Sequence, residues 1–228
     1  MSKIKLSKET FVTLKNFSTI NKSIIIDPGS RIRTISVNKN IFASAQVSEE
    51  FPIQVPIYDL GEFLSGVQMF ENPVLDFSSS QKVVVSDEGL NGSTTFYYSD
   101  PELIVRPPDK EIPMNNVDVK FTLTAEYLKK LTTASAVYSV PDLCLTTKGS
   151  TLILKVCDKK NETSNSFEVP VGECEEGTEL CYCFKVENLR LQAADYDVSI
   201  AGGRVAHFVS TSRQLDLQYY IALEPESK

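Results

Sequence analysis

The chain has 228 residues, 42% of them hydrophobic and 23% charged, which is long for one compact domain and comfortable for two of about 100 each. A net charge of −7 and a pI of about 4.9 exclude a simple basic nucleic-acid binder, although an acidic protein can still present one basic face. The start MSKIKLSKET lacks the apolar core of a signal peptide and no apolar run reaches membrane-spanning length, so no membrane role and a cytoplasmic location are expected.

In chain order, Leu6-Ser7-Lys8-Glu9-Thr10-Phe11 opens a helix with Ser7 as N-cap and Phe11, Leu14 and Phe17 at helical spacing. SIII (23–26) and RIRTISV (31–37) read as strands. A short second helix is expected over Asp59–Leu64, with Leu60, Phe63, Leu64 and Val67 on its core side and Gly61, Ser65 and Gly66 opposite. PVLDFSSSQKVVVS (73–86) reads as a hairpin, and Phe96-Tyr97 falls in a closing strand. SDPELIVRPPDKEIPMNN (99–116) holds four Pro; proline removes ladder donors, so this stretch is an extended connector. The expected organisation is an N-terminal domain 1–105, a connector 106–115 and a C-terminal domain 116–228.

Beyond the connector the pattern returns. Leu123-Thr124-Ala125-Glu126-Tyr127-Leu128 repeats Leu6 to Phe11 at an offset of 117 residues, with Thr124 as the second N-cap. DLCLTTKG (142–149) and TLILKVC (151–157) are strands, and Val186–Leu191 is expected to be the second short helix of this half. YDVSIAGGRVAHFVS (196–210) is a hairpin turning at Gly202-Gly203, and Tyr219-Tyr220 lies in the last strand. Each half therefore has two short helices and about eight or nine strands: a duplicated α+β unit.

No catalytic set emerges. The one His, His207, has no adjacent nucleophile motif, and no glycine-rich loop could cradle a phosphate. Cys144, Cys157, Cys174, Cys181 and Cys183 include no C-x-x-C pair, so reduced thiols are expected rather than a disulfide or a metal site. Cys181 and Cys183, two apart on a strand, should share a face. Asp195 with Asp197, and Glu173 with Glu175 and Glu176, read as solvated turns. Neither a cofactor nor a metal is expected.

KLSKETFVTLKNFSTIN, IYDLGEFLSGVQMF and the closing YYIALEPES resemble the sliding clamps of T-even-like tailed phages, and the resemblance runs along essentially the whole chain. It implies a DNA-clamp fold with helices packed on antiparallel sheets, and a homotrimer closing as a ring with sheets outside and helices inside. The ring would encircle double-stranded DNA without sequence preference. It would be opened by an ATP-driven clamp loader, would tether the replicative DNA polymerase through that enzyme's C-terminal peptide, and would serve late viral transcription in the host cytoplasm. A clamp is not an enzyme. The alternatives are a viral structural β-rich protein, which should lack the duplicated helix, and a small hydrolase, which should show a site.

On a wheel of about 100° per residue, Phe11 with Leu14, or Leu128 with Leu131, centre the apolar faces. Lys129 and Lys130 fall opposite, equivalent to Val12 and Thr13, while Lys8 and Lys15 flank the apolar stripe and can snorkel. With the clamp architecture implied by the resemblance, the expected DNA-facing residues are Lys8, Lys15, Lys22, Lys129, Lys130 and Arg190; the plain alternative is a solvated helix face. The expected partner-peptide pocket is Leu103, Ile104 and Val105 with Ala222, Leu223 and Pro225, which could equally just tether the connector to a sheet.

Overall fold

The computed structural model describes residues 2–87, 89–109, 112–212 and 216–225. Lys110 and Glu111 of the expected connector, and residues 226 and 227 of the closing motif, lie outside them. The chain divides into two compact units, Met1–Lys110 with Gln214–Leu217, and Glu111–Arg213 with Gln218–Lys228.

The first unit runs β1 (Lys3–Ile4), α1 (Lys8–Ile20), β2 (Ile24–Ile26), β3 (Gly29–Ile35), β4 (Ile41–Phe51), β5 (Val55–Ile57), α2 (Leu60–Val67), β6 (Pro73–Asp76), β7 (Lys82–Asp87) and β8 (Leu90–Tyr97). Strands β1, β6, β7 and β8 form one antiparallel sheet in that order, β3 pairs with β4, and β2 with β5. Helix α1 packs on β4 and against α2, burying Leu14, Phe17 and Ile20. Ser7 caps α1 by accepting from the Thr10 N–H, and Asp59 caps α2 by accepting from the Glu62 N–H. Both satisfy N–H groups that a helix start leaves without partners. Gly66 is buried, not on the outer face of α2 as expected. A Cβ there would lie 2.3 Å from the ring of Phe96 on β8, so the missing side chain lets helix and strand close and lets Phe63 meet Phe96 edge-on at 5.1 Å.

The second unit runs β9 (Val117–Leu123), α3 (Ala125–Tyr138), β10 (Asp142–Lys148), β11 (Thr151–Cys157), β12 (Phe167–Glu173), β13 (Cys181–Lys185), β14 (Tyr196–Ala201), β15 (Val205–Ser210) and β16 (Asp216–Ala222). Its sheets are β12-β11-β10-β13 and, within this unit, β16-β15-β14-β9. Thr124 caps α3 through the Tyr127 N–H, and α3 packs on β11 and β12. Gly202 and Gly203 turn the β14–β15 hairpin at φ +57 and +58, the left-handed region that glycine enters without steric cost. Buried Tyr196, Phe208 and Tyr219 pack edge to face around this core.

Two expectations are corrected here. The second short helix of this half is only a 3₁₀ turn, Val186–Asn188. Lys185 offers no side-chain cap, unlike Asp59 ahead of α2, and a β-branched Val begins the turn. Without a cap, a run this short does not repay helix nucleation. The second correction concerns the thiols: Cys144 and Cys183 are directly opposed on β10 and β13 and are joined by a disulfide. The shared face of Cys181 and Cys183 holds, with their Sγ atoms 3.7 Å apart.

Candidate nucleic-acid interface

On α1 the buried positions are Thr10, Thr13, Leu14, Phe17 and Ile20. This face is rotated from the one expected. Thr13 is only 1% exposed, and Phe11 is half-buried rather than central. The cause is Glu49 on β4, 8% exposed, whose carboxylate accepts hydrogen bonds from the Ser7 N–H, the Thr10 hydroxyl and the Ser48 hydroxyl. Burial alone would raise the Glu49 pKa, but the Ser7 and Thr10 donors outweigh it and hold the carboxyl below its ordinary value. A negative charge here also complements the N-terminal end of the helix dipole. Because Thr10 and Thr13 lie inward, the outward stripe is Lys8, Val12, Lys15 and Thr19, all exposed. At about 100° per residue these four fall within an arc of about 60°. Lys8 and Lys15 therefore stand at the centre of the exposed face, not at its edge.

Lys22, just past α1, is also exposed, but its Nζ lies 3.0 Å from Asp59 and 5.4 Å above the Tyr58 ring. The hydrogen bond to Asp59 raises the Lys22 pKa. Its charge is thus partly offset by the residue that caps α2.

In the second unit α3 buries Leu128, Leu131 and Ser135. Its start is held by the Asp195 carboxylate, which accepts from the Ala125 N–H at 2.7 Å. Lys129 and Lys130 are both exposed, as the wheel required, yet they differ. Lys130 Nζ sits 2.6 Å from Glu126 one turn back, and this bond raises the lysine pKa and lowers that of the glutamate. Among the described residues Lys8, Lys15 and Lys129 make no ion pair. Arg190 is exposed beyond the 3₁₀ turn, its Nε donating to the Glu187 carbonyl at 3.1 Å. The loop that carries it is pinned at Gln192. The Tyr196 hydroxyl donates to the Gln192 carbonyl at 2.6 Å, and the Gln192 N–H donates to the Tyr219 hydroxyl at 3.2 Å.

The expected peptide-binding residues split by exposure. Leu103, in the 3₁₀ turn Pro101–Leu103, is 68% exposed and Val105 is partly so, while Ile104 between them is 5% exposed and acts as an anchor. The connector is then clipped to the first unit by charge. Arg106 reaches Asp27 at 2.7 Å, and Arg33 lies 3.6 Å from Asp27 and 3.5 Å from Asp109. In the second unit Pro225 is exposed, but Leu223 is 9% exposed and its N–H is bonded to the Arg204 carbonyl. Leu223 and Ile104 therefore support the surface rather than form it. Glu49, Asp195, the two tyrosine pins and the Asp27 clip escaped sequence reasoning. Asp59, three residues before Glu62, did carry a local cap signature, as Ser7 and Thr124 did.

Residues 7–85 match the family of DNA polymerase processivity factors, and residues 120–225 match the C-terminal domain of the gp45 sliding clamp. The sliding clamp of Vibrio phage KVP40 is 38% identical over 97% of this chain and 99% of its own length. This chain belongs to the sliding clamp family. The clamps of Escherichia phage RB69 and Enterobacteria phage T4 are 25% and 26% identical, each over 98% of both chains. Among solved structures, the proliferating cellular nuclear antigen of Entamoeba histolytica matches with a TM-score of 0.70 at 13% identity, covering 98% of each chain. A. fulgidus PCNA bound to the C-terminal region of FEN-1 matches at 0.72 and 12%, covering both chains fully. At that identity the likeness is one of fold. As a clamp, the protein is a processivity factor for a phage DNA polymerase and not an enzyme.

Proposed function

We propose that three copies of this clamp close head to tail into a ring around double-stranded DNA and hold the replicative polymerase on its template. The observation that carries this reading is the outward stripe of α1, where Lys8 and Lys15 stand on one face without carboxylate partners among the described residues. Attraction between such lysines and phosphates is independent of base sequence and weakens with salt. A ring that must slide needs that kind of contact and no base-reading side chain. Lys129 joins this set, and Arg190 is a further exposed cation on its pinned loop; Lys22 and Lys130 contribute less, because each already has an acidic partner.

Ring closure needs two unlike edges per copy. Edge strand β8 in the first unit and edge strand β12 in the second each pair on one side only among the described residues. Exposed Tyr97 on β8, and Val137 and Tyr138 at the end of α3, supply apolar surface. A mass in solution near three times the 25.4 kDa of the chain is expected at tens of micromolar; a monomer alone contradicts the ring.

The polymerase C-terminal peptide is assigned to the exposed Leu103 and Val105 of the first unit. Leu103→Asp should weaken that peptide by about 1–3 kcal/mol, the range for an apolar anchor lost from an interface, and leave the fold intact. Unchanged affinity would place the pocket elsewhere. Leu223→Asp tests folding rather than binding, since Leu223 is buried. Loading by an ATP-driven clamp loader, support of late transcription and action in the host cytoplasm complete the proposal.

A further inference from the structure

One face of β10, β11 and β13 gathers thiols that the clamp's role on DNA does not use. Cys144 lies directly opposite Cys183, and Asp142 opposite Cys157, so all four residues share one face. Cys144 and Cys183 are bonded to each other and buried. The Asp142 carboxylate accepts the Lys159 N–H, and the Glu224 N–H is bonded to the Cys183 carbonyl. Cys181 is different: it is a free thiol, exposed, with its Sγ 3.7 Å from that of Cys183. The Sγ atoms of Cys144, Cys181 and Cys183 all lie within 4.8 Å of one another. Cys157 is half-buried, and burial pushes its thiol pKa up, which makes it a poorer nucleophile near neutral pH.

We propose that Cys181 is a thiol–disulfide exchange site, the residue through which low-molecular-weight thiols and disulfides of the glutathione class open and close the buried Cys144–Cys183 bond. An external thiolate has little access to either buried sulfur, whereas the Cys181 sulfur is in solvent and already in contact. In opening, the Cys181 thiolate attacks Sγ of Cys183. The Cys144–Cys183 bond breaks, and Cys144 leaves as a thiolate that takes a proton from water. An external thiolate then attacks Cys181, forming a mixed disulfide there and releasing the Cys183 thiolate. A second external thiolate removes the adduct as the external disulfide, and Cys181 and Cys183 are reprotonated. Two external thiols are thereby oxidised to one disulfide while one protein disulfide is reduced to two thiols. Closing is the reverse, driven by an external disulfide.

The test uses the full chain. Purified protein is oxidised with glutathione disulfide and then exposed to glutathione at about pH 8, near the ordinary thiol pKa. Samples are quenched by alkylation, and the labelling of Cys144 is followed by peptide mass spectrometry. The wild type should open about tenfold or more faster than Cys181→Ser, because exchange rate depends on access to the attacked sulfur. Cys174→Ser, just past the end of β12 and outside the trio, should match the wild type. In Cys144→Ser, glutathione disulfide should leave an adduct on Cys181 or a Cys181–Cys183 bond. Equal opening rates for wild type and Cys181→Ser overturn the proposal, as does the absence of any Cys144–Cys183 bond after oxidation, or a Cys144→Ser protein in which Cys181 stays unmodified.

Discussion

The two long helices, α1 and α3, start from the same sequence pattern and end in different environments. Their caps, Ser7 and Thr124, are equivalent. Beyond the caps, α1 turns Thr10 and Thr13 inward because a buried carboxylate, Glu49, receives Thr10 and the helix start. Helix α3 has only an exposed aspartate at its start, Asp195, making one bond to the Ala125 N–H, and it buries leucines alone near its beginning. With the caps aligned, Lys130 corresponds to buried Thr13 and Lys129 to exposed Val12. A duplicated sequence thus preserves where a helix begins more faithfully than which way it faces. The facing is set by what the neighbouring strand offers.

The largest expected contrast is in stability. Glu49→Gln keeps the shape but replaces a buried acceptor of three hydrogen bonds with an amide that has one oxygen. It should cost about 1–3 kcal/mol at neutral pH, the range for leaving buried polar groups unsatisfied. Asp195→Asn, at an exposed site, should stay within about 0.5 kcal/mol. Urea unfolding at fixed protein concentration measures both, and equal losses would break the comparison. The pH dependence has a definite sign. The folded Glu49 pKa is depressed, so its stabilisation is fully present above the ordinary value of 4.5 and is lost as pH falls through the lower folded value. The gap between wild type and Glu49→Gln should therefore narrow below about pH 4.5 and not above it.

Next in size is the effect on processive synthesis. Lys8→Glu with Lys15→Glu reverses two charges on the centre of one face that make no ion pair among the described residues, and should lower primer extension with the cognate polymerase most at low salt, where the lysine–phosphate attraction is strongest. Lys129→Glu should act in the same direction with half the charge change. Lys130→Glu is the smallest: it removes a charge already paired with Glu126 and should reduce extension less than Lys129→Glu. If Lys130→Glu is the more damaging of the two, the face of α3 has been assigned to the wrong side.

What could be read from the chain alone follows the same division. Caps, the Gly202-Gly203 turn and the order of strands depend on neighbours in sequence, and the two halves announced each other by repetition. The rotation of α1 could not be read, because Glu49 lies about forty residues from Ser7 and nothing local marks it as buried. Gly66 looked like a surface residue until Phe96 was seen against it. Val186–Leu191 had helical spacing but no cap. The disulfide required the register of β10 on β13, strands joined by no short turn, to bring Cys144 and Cys183 together across 39 residues. For the expected DNA-facing set, sequence placed Lys8, Lys15, Lys129 and Lys130 on exposed helix faces, while the pairing of Lys22 and Lys130 with nearby carboxylates is visible only in three dimensions.

The central claim, that the protein acts by encircling DNA, is tested most directly by topology. The clamp is loaded onto a nicked circular duplex by its loader and ATP, the complex is separated from free protein at moderate salt, and half is cut once with a restriction enzyme away from the nick. The account predicts that the clamp stays with the circle and is lost from the linear molecule by sliding off its ends. Equal retention on both, or release from both when salt is raised, would mean that the protein grips DNA instead of surrounding it.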